Sequence, residues 1–294
     1  MASDRARVAG PDFICVGMPK AGTGWLFDQL NTHPDFWMPP IKGVHYLRYD
    51  FPAMTNATKR LIRSSRSSRA RRAKGRAEDD RDYEFLVEAS ALAKQPRNLE
   101  RYASLFRHKG ESLSGDITAA YADLRENVIS EIGKALPDVK IILLIRDPIA
   151  RAWSRISMAY RAGQFDVAIL EQEQAFRAYL RTSNFIADER SFPTKIVERW
   201  AQAAPHLRFR HFLFDDIESK PEQARRDILL YLGGDPEKKS GELAAGHNHK
   251  AAAVKLVLTD RLKAILVDHF KDEVRACAQF FEGPARGWLA RYGL

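Results

Sequence analysis

The sequence predicts an α/β protein built on a central parallel β-sheet flanked by helices, and three stretches of the chain carry the prediction. Phe13 to Gly17 is a short apolar run followed at once by Met18-Pro19-Lys20-Ala21-Gly22-Thr23-Gly24, and Trp25 to Leu30 then take helical spacing. Ile141 to Ile145 is a second apolar run ending in Arg146-Asp147-Pro148, where Asp147 suits a helix N-cap and Pro148 the first helical position. Arg208 to Phe214 supplies a third strand. Strands separated by helices imply crossovers, and crossovers make the sheet parallel.

The remaining elements fit this frame. Ser114 to Thr118 reads as a fourth strand, lying between helical stretches near Asn98 to Phe106 and Leu124 to Ala135. Thr259 to Phe281 is helical in pattern. At 294 residues the chain can bury a full α/β core, and with no repeat or clear linker it is read as one domain, 1–294. Residues 53–96 interrupt the pattern like an insertion on the scaffold, with a basic part at about 57–82.

Charge is concentrated in that insertion. The net charge is +9, and nine Lys/Arg with no acid lie between Lys59 and Arg76, so the rest of the chain is close to neutral. The stretch, with Ser64, Ser65, Ser67 and Ser68, reads either as a solvated loop or as a basic lip that attracts an anionic acceptor or nucleic acid. No apolar run approaches the roughly 20 residues that span a bilayer. Met1 to Gly10 lacks the apolar stretch of a secretory signal, so a cytoplasmic protein is expected. With only Cys15 and Cys277, and Cys15 inside a buried strand, neither a disulfide framework nor a cysteine metal site is expected.

The first loop can hold phosphate. Gly17 and Gly22 have the spacing of a phosphate-cradling turn, in which glycines let the backbone curl and the next helix offers unpaired N–H groups and a positive dipole end. A Walker A loop places Lys directly after the second glycine and then Ser or Thr for magnesium, whereas here Thr23 and Gly24 follow Gly22 and the lysine has moved inside, to Lys20. ATP chemistry uses lysine and metal together, so an ordinary NTPase is disfavoured.

Pro19, Lys20, Gly22, Thr23 and Trp25 resemble the Pro-Lys-x-Gly-Thr-x-Trp signature of the sulfotransferases that use 3'-phosphoadenosine 5'-phosphosulfate (PAPS). A second run, Arg146, Asp147, Pro148, Arg151 and Ser154, is similar to that family's R-[DN]-P-x-x-R-x-x-S pattern, about 120 residues on and in the same strand-turn-helix context. The resemblance implies a P-loop-like sulfotransferase fold. It also implies a donor site in which Lys20, Ala21, Gly22, Thr23, Gly24 and Trp25 hold the 5'-phosphosulfate, Lys20 touches the bridging oxygen, and Arg146 with Ser154 grips the 3' phosphate. The chemistry suits those residue types, since a guanidinium forks onto two phosphate oxygens and a hydroxyl adds a neutral donor. Lys250, in Asn248-His249-Lys250, stands where the family has a basic loop over the 3' phosphate; a solvated turn is the other reading.

Sulfuryl transfer needs in-line geometry and charge stabilisation, and no metal is implied. A base must take the acceptor's proton. The related branch has Lys-Glu-x-His-[FY]-Phe with Glu as base, whereas this chain reads Lys42-Gly43-Val44-His45-Tyr46-Leu47, so Gly43 stands where the glutamate would be. His45 is one substitute and Asp116, in Gly115-Asp116-Ile117-Thr118, another; each also has a structural reading, and slow transfer after donor binding is a third outcome. The acceptor is expected to be a small molecule, lipid or carbohydrate. Trp37, Tyr46, Tyr49, Phe51 and Tyr121 read either as an aromatic acceptor wall or as core. A nucleotide kinase lacks its metal-binding Ser/Thr here, and an RNA-binding protein would leave both phosphate loops unexplained.

Overall fold

A computed structural model describes residues 10–48, 80–92, 95–183, 186, 189–238, 243–247 and 256–294. Strand β1 (Phe13–Gly17) lies wholly inside the protein. An uninterrupted apolar run suits a strand covered on both faces, as parallel sheets require. Burying Phe13, Ile14 and Val16 contributes roughly 1.5–3 kcal/mol each. β2 (Gly115–Ile117) and β3 (Lys140–Ile145) flank β1, and β4 (Arg208–Leu213) forms the far edge, so the order is β2-β1-β3-β4 with every pair parallel. The four strands read from the sequence all occur. The α/β class with a central parallel sheet and flanking helices is observed.

Helix α1 (Thr23–Asn31) follows β1 through the glycine turn. α2 (Asp80–Leu92) lies in the stretch that resembled an insertion, yet it places Phe85 in the core. The basic segment Lys59 to Arg76 lies outside the described residues. α3 (Leu99–Ser104) runs into a 3-10 turn, Leu105–Lys109, and α4 (Glu126–Ala135) turns Val128, Ile129 and Ile132 inward. α5 (Pro148–Arg161) follows β3. It is capped as expected, with Asp147 Oδ1 accepting from the Ile149 and Ala150 amides at 2.9 and 3.3 Å and Pro148 opening the first turn.

The chain continues through α6 (Glu173–Thr182), α7 (Pro193–Ala203), α8 (Phe214–Ser219) and α9 (Pro221–Leu232). α10 (Asp260–Phe280) packs on α5 and α7, and the short α11 (Gly287–Tyr292) returns against α10 with Trp288 fully buried. Among the described residues no helix is long and apolar enough to cross a membrane.

The aromatic wall resolves toward core for its described members. Trp37, Tyr46 and Tyr121 are buried. Trp37 packs edge-on to Phe85 at 5.8 Å and Tyr46 stacks on Tyr102 at 5.7 Å, so these rings fill the interior rather than line a cleft. Tyr49 and Phe51 lie outside the described residues.

Candidate functional site

The sheet order locates the site. From β1 the chain moves to one side to make β2, then crosses back over β1 to make β3 and β4. The reversal falls between β1 and β3, and in an open parallel sheet the crevice beyond the carboxyl ends of such strands is where ligands sit. The turns that leave β1 and β3 are the two phosphate-loop candidates.

The first turn is anchored to β3 by Met18 N–H, which donates to Leu144 O at 2.7 Å. Lys20 and Gly22 both adopt left-handed backbone, φ 73° and 93°, which curls the loop around the start of α1. Gly22 is demanded twice. Besides its φ, a Cβ there would meet the Phe214 ring at 2.9 Å. The unpaired amides at the start of α1 belong to Thr23, Gly24 and Trp25. Lys20 is half-buried and its Nζ reaches Met158 Sδ on α5 at 3.7 Å, while Lys42 Nζ donates to Thr23 Oγ1 at 3.1 Å.

The second turn lies beside the first. Arg146 Nη1 donates to Lys20 O at 3.1 Å, so the two loops are in direct contact. The guanidinium centre lies 4.5 Å from the centre of the Phe214 ring at the start of α8, and that ring also packs against Gly22. Burial lowers the pKa of Arg146, and Glu218, Asp147 and Asp215 pull the other way. Ser154 is half-buried on α5, one turn before Met158 and on the same face, which is the face Lys20 reaches.

Both helices that follow the loops hold a distant stretch of chain. From α1, Trp25 Nε1 donates to Ala245 O at 2.6 Å and Gln29 Nε2 to Ala244 O at 3.0 Å. From α5, Trp153 Nε1 donates to Leu256 O at 3.0 Å. Lys250, between these anchors in sequence, lies outside the described residues.

The base candidates are adjacent but differ in environment. His45 is half-buried with φ 58°, and its amide donates to Thr118 Oγ1 at 3.3 Å. Gly43 has φ +85°, and a Cβ there would meet His45 Nε2 at 2.9 Å, so the imidazole occupies the space into which a side chain at 43 would grow. Asp116 is fully buried. It accepts from Tyr102 and Tyr121 hydroxyls at 3.0 and 2.8 Å, from Thr118 at 2.6 Å and from Val44 N–H at 3.3 Å. Burial pushes its pKa up, and the bonds from Thr118, Tyr121 and Val44 pull it down. Burial and the Asp116 charge hold both tyrosine hydroxyls well above their ordinary range, so they stay protonated donors.

Sequence reasoning missed Phe214, which wedges the two loops, and Lys42 as a second cation at the first turn of α1. Lys42 was visible as a charge beside the glutamate position, but Phe214 carried no signal beyond ending a strand.

A family model described as the sulfotransferase family matches residues 11–237. Among solved structures, a sulfotransferase from Alicyclobacillus acidocaldarius superposes with a TM-score of 0.59 at 20% identity, covering 91% of this chain and 94% of its own. The sulfotransferase domain of a Synechococcus olefin synthase gives a TM-score of 0.47 at 16% identity, covering 88% of this chain and 94% of its own. No curated protein matches the chain.

Proposed function

This chain belongs to the sulfotransferase family, and on that premise we propose that it moves a sulfuryl group from PAPS to a hydroxyl or amine of a small-molecule, lipid or carbohydrate acceptor, releasing adenosine 3',5'-bisphosphate. The observation that carries the reading is the contact of the two loops, Arg146 Nη1 on Lys20 O at 3.1 Å, because one nucleotide with phosphates at both 5' and 3' positions needs two neighbouring anion sites. ATP needs only one. The amides of Gly22 to Trp25 receive the 5'-phosphosulfate, and Arg146 with Ser154 receives the 3' phosphate. Two buried, free cysteines suit a reducing compartment, and the cytoplasm is the proposed location.

The acceptor oxygen or nitrogen attacks sulfur as the bond from sulfur to the bridging oxygen breaks. The electron pair of that bond stays on the phosphate oxygen, and Lys20, with Lys42 beside Thr23, offsets the charge arriving there. His45 takes the acceptor's proton. Asp116 has both oxygens engaged by four donors, which favours a role in holding Val44, and through Thr118 the amide of His45, over a role as base.

Thermal stability measured separately with adenosine 3',5'-bisphosphate, with ATP plus magnesium and with RNA tests the reading. At a bisphosphate concentration a hundredfold above Kd, stabilisation of about 2.7 kcal/mol is expected without metal. Lys20→Ala and Arg146→Ala should each lose most of it. Stabilisation by ATP plus magnesium alone would point to a kinase, and by RNA alone to a binding protein.

A further inference from the structure

The residues that directly follow Arg146 and Phe214 are both acids, Asp147 and Asp215, and both are engaged by the C-terminal helix. Asp147 is 1% exposed. Its Oδ1 caps α5, while its Oδ2 accepts from the Tyr292 hydroxyl and from Arg291 Nη1 at 3.1 Å. The same guanidinium reaches on through Nη2 to Asp215 Oδ1 at 2.8 Å, where Trp288 Nε1 also donates at 3.3 Å. One arginine therefore bridges the chain leaving β3 to the chain leaving β4, which are the segments that present Arg146 and the Phe214 ring beneath it. Trp288 is fully buried and Lys263 lies 5.5 Å over the Tyr292 ring, so α11 is fixed to the body of the protein.

The arrangement also decides a competition of charges. Glu218, Asp147 and Asp215 all lie close enough to Arg146 to favour its charged form, and the two aspartates are the ones the C-terminal helix reaches. Left unengaged, the two aspartates would add to the pull of Glu218 on that guanidinium, away from an incoming anion. Arg291 and Tyr292 occupy them instead. Residues 287–292 lie beyond residue 237, where the family match ends.

We infer that Arg291 and Tyr292 are positioning residues for the donor site: by tying Asp147 to Asp215 they hold Arg146 over Phe214, aimed at the 3' phosphate. The inference rests on the donor reading above, and the two fail separately. The test is titration calorimetry of wild type, Arg291→Ala, Arg291→Lys and Tyr292→Phe with adenosine 3',5'-bisphosphate and with adenosine 5'-monophosphate, which lacks the 3' phosphate. Arg291→Ala should weaken the bisphosphate about tenfold and the monophosphate less than about twofold. Arg291→Lys keeps the charge without the fork and should recover part of the loss. In an Arg146→Ala background Arg291→Ala should cost the bisphosphate nothing further, because the group it positions is gone. Should Arg291→Ala fail to fold, Tyr292→Phe removes a single donor and carries the same comparison. Equal weakening of both nucleotides, or of neither, overturns the inference. A wild type that binds no bisphosphate overturns the donor reading itself.

Discussion

Gly43 and His45 form one steric unit. The φ of +85° at Gly43 costs a side-chain-bearing residue about 1–2 kcal/mol. A Cβ there would also sit 2.9 Å from His45 Nε2, so the ring must move aside before any side chain is accommodated. Gly43→Ala should therefore keep donor affinity while turnover falls, by an amount approaching that of His45→Ala, for which loss of a general base predicts about 10²–10⁴-fold. Gly43→Glu alone should fare no better. Combined with His45→Ala, the glutamate gains the vacated space and should restore part of the turnover. Single-turnover rates at saturating donor decide it: full activity in His45→Ala removes the imidazole from the reaction. The sequence shows a glycine in place of an acid, but crowding across a left-handed turn has no sequence signal, and the pairing of 43 with 45 became legible only in three dimensions.

Asp116 joins four elements through one carboxylate. It stands on β2 and accepts from Tyr102 of α3, from Tyr121 and Thr118 beyond β2, and from the amide of Val44 in the loop that carries His45. Asp116→Ala strands four donors in the interior, an effect of about 3 kcal/mol or more, which lowers the melting temperature by about 6 °C or more. The loop at Val44 then loses its anchor, so turnover should fall further than donor affinity. An unchanged melting temperature would mean that the four donors find other partners and that the carboxylate is not the hub. Here the sequence was a partial guide. β2 was legible from Ser114 to Thr118, and Asp116 stood out as the acid of the Gly115-Asp116-Ile117-Thr118 run. Its partners were not, because Tyr102 and Tyr121 lie on opposite sides of it in sequence and meet it only through packing. Trp37, Tyr46 and Tyr121 were ambiguous for a related reason: aromatics outside a periodic helix or strand carry no pattern that separates core from cleft.

The whole molecule depends on the strand order. Each of the four described strands was legible in the sequence, and crossovers made the sheet parallel, but nothing in a single strand says which neighbour it pairs with. The order β2-β1-β3-β4 puts the turns after Gly17 and Ile145 side by side, and the C-terminal helix closes on the same end of the sheet through Asp147 and Asp215. If the chain is one cooperative domain, as its length and lack of linkers lead us to propose, two internal probes must report the same opening. The cysteines supply them. Cys15 lies in β1, where burial pushes its thiol up to about 12, and Cys277 lies in α10, where burial and Glu273 also push it up. Neither thiolate forms in the folded state near neutral pH, so alkylation of each requires unfolding. Mass spectrometry of peptides after timed iodoacetamide treatment should give equal protection at both sites, and bisphosphate at a hundredfold above Kd should slow both about a hundredfold. Faster labelling of Cys277 with Cys15 protected would mean that the C-terminal helices open independently, and α11 would then lack the rigidity needed to position Arg146.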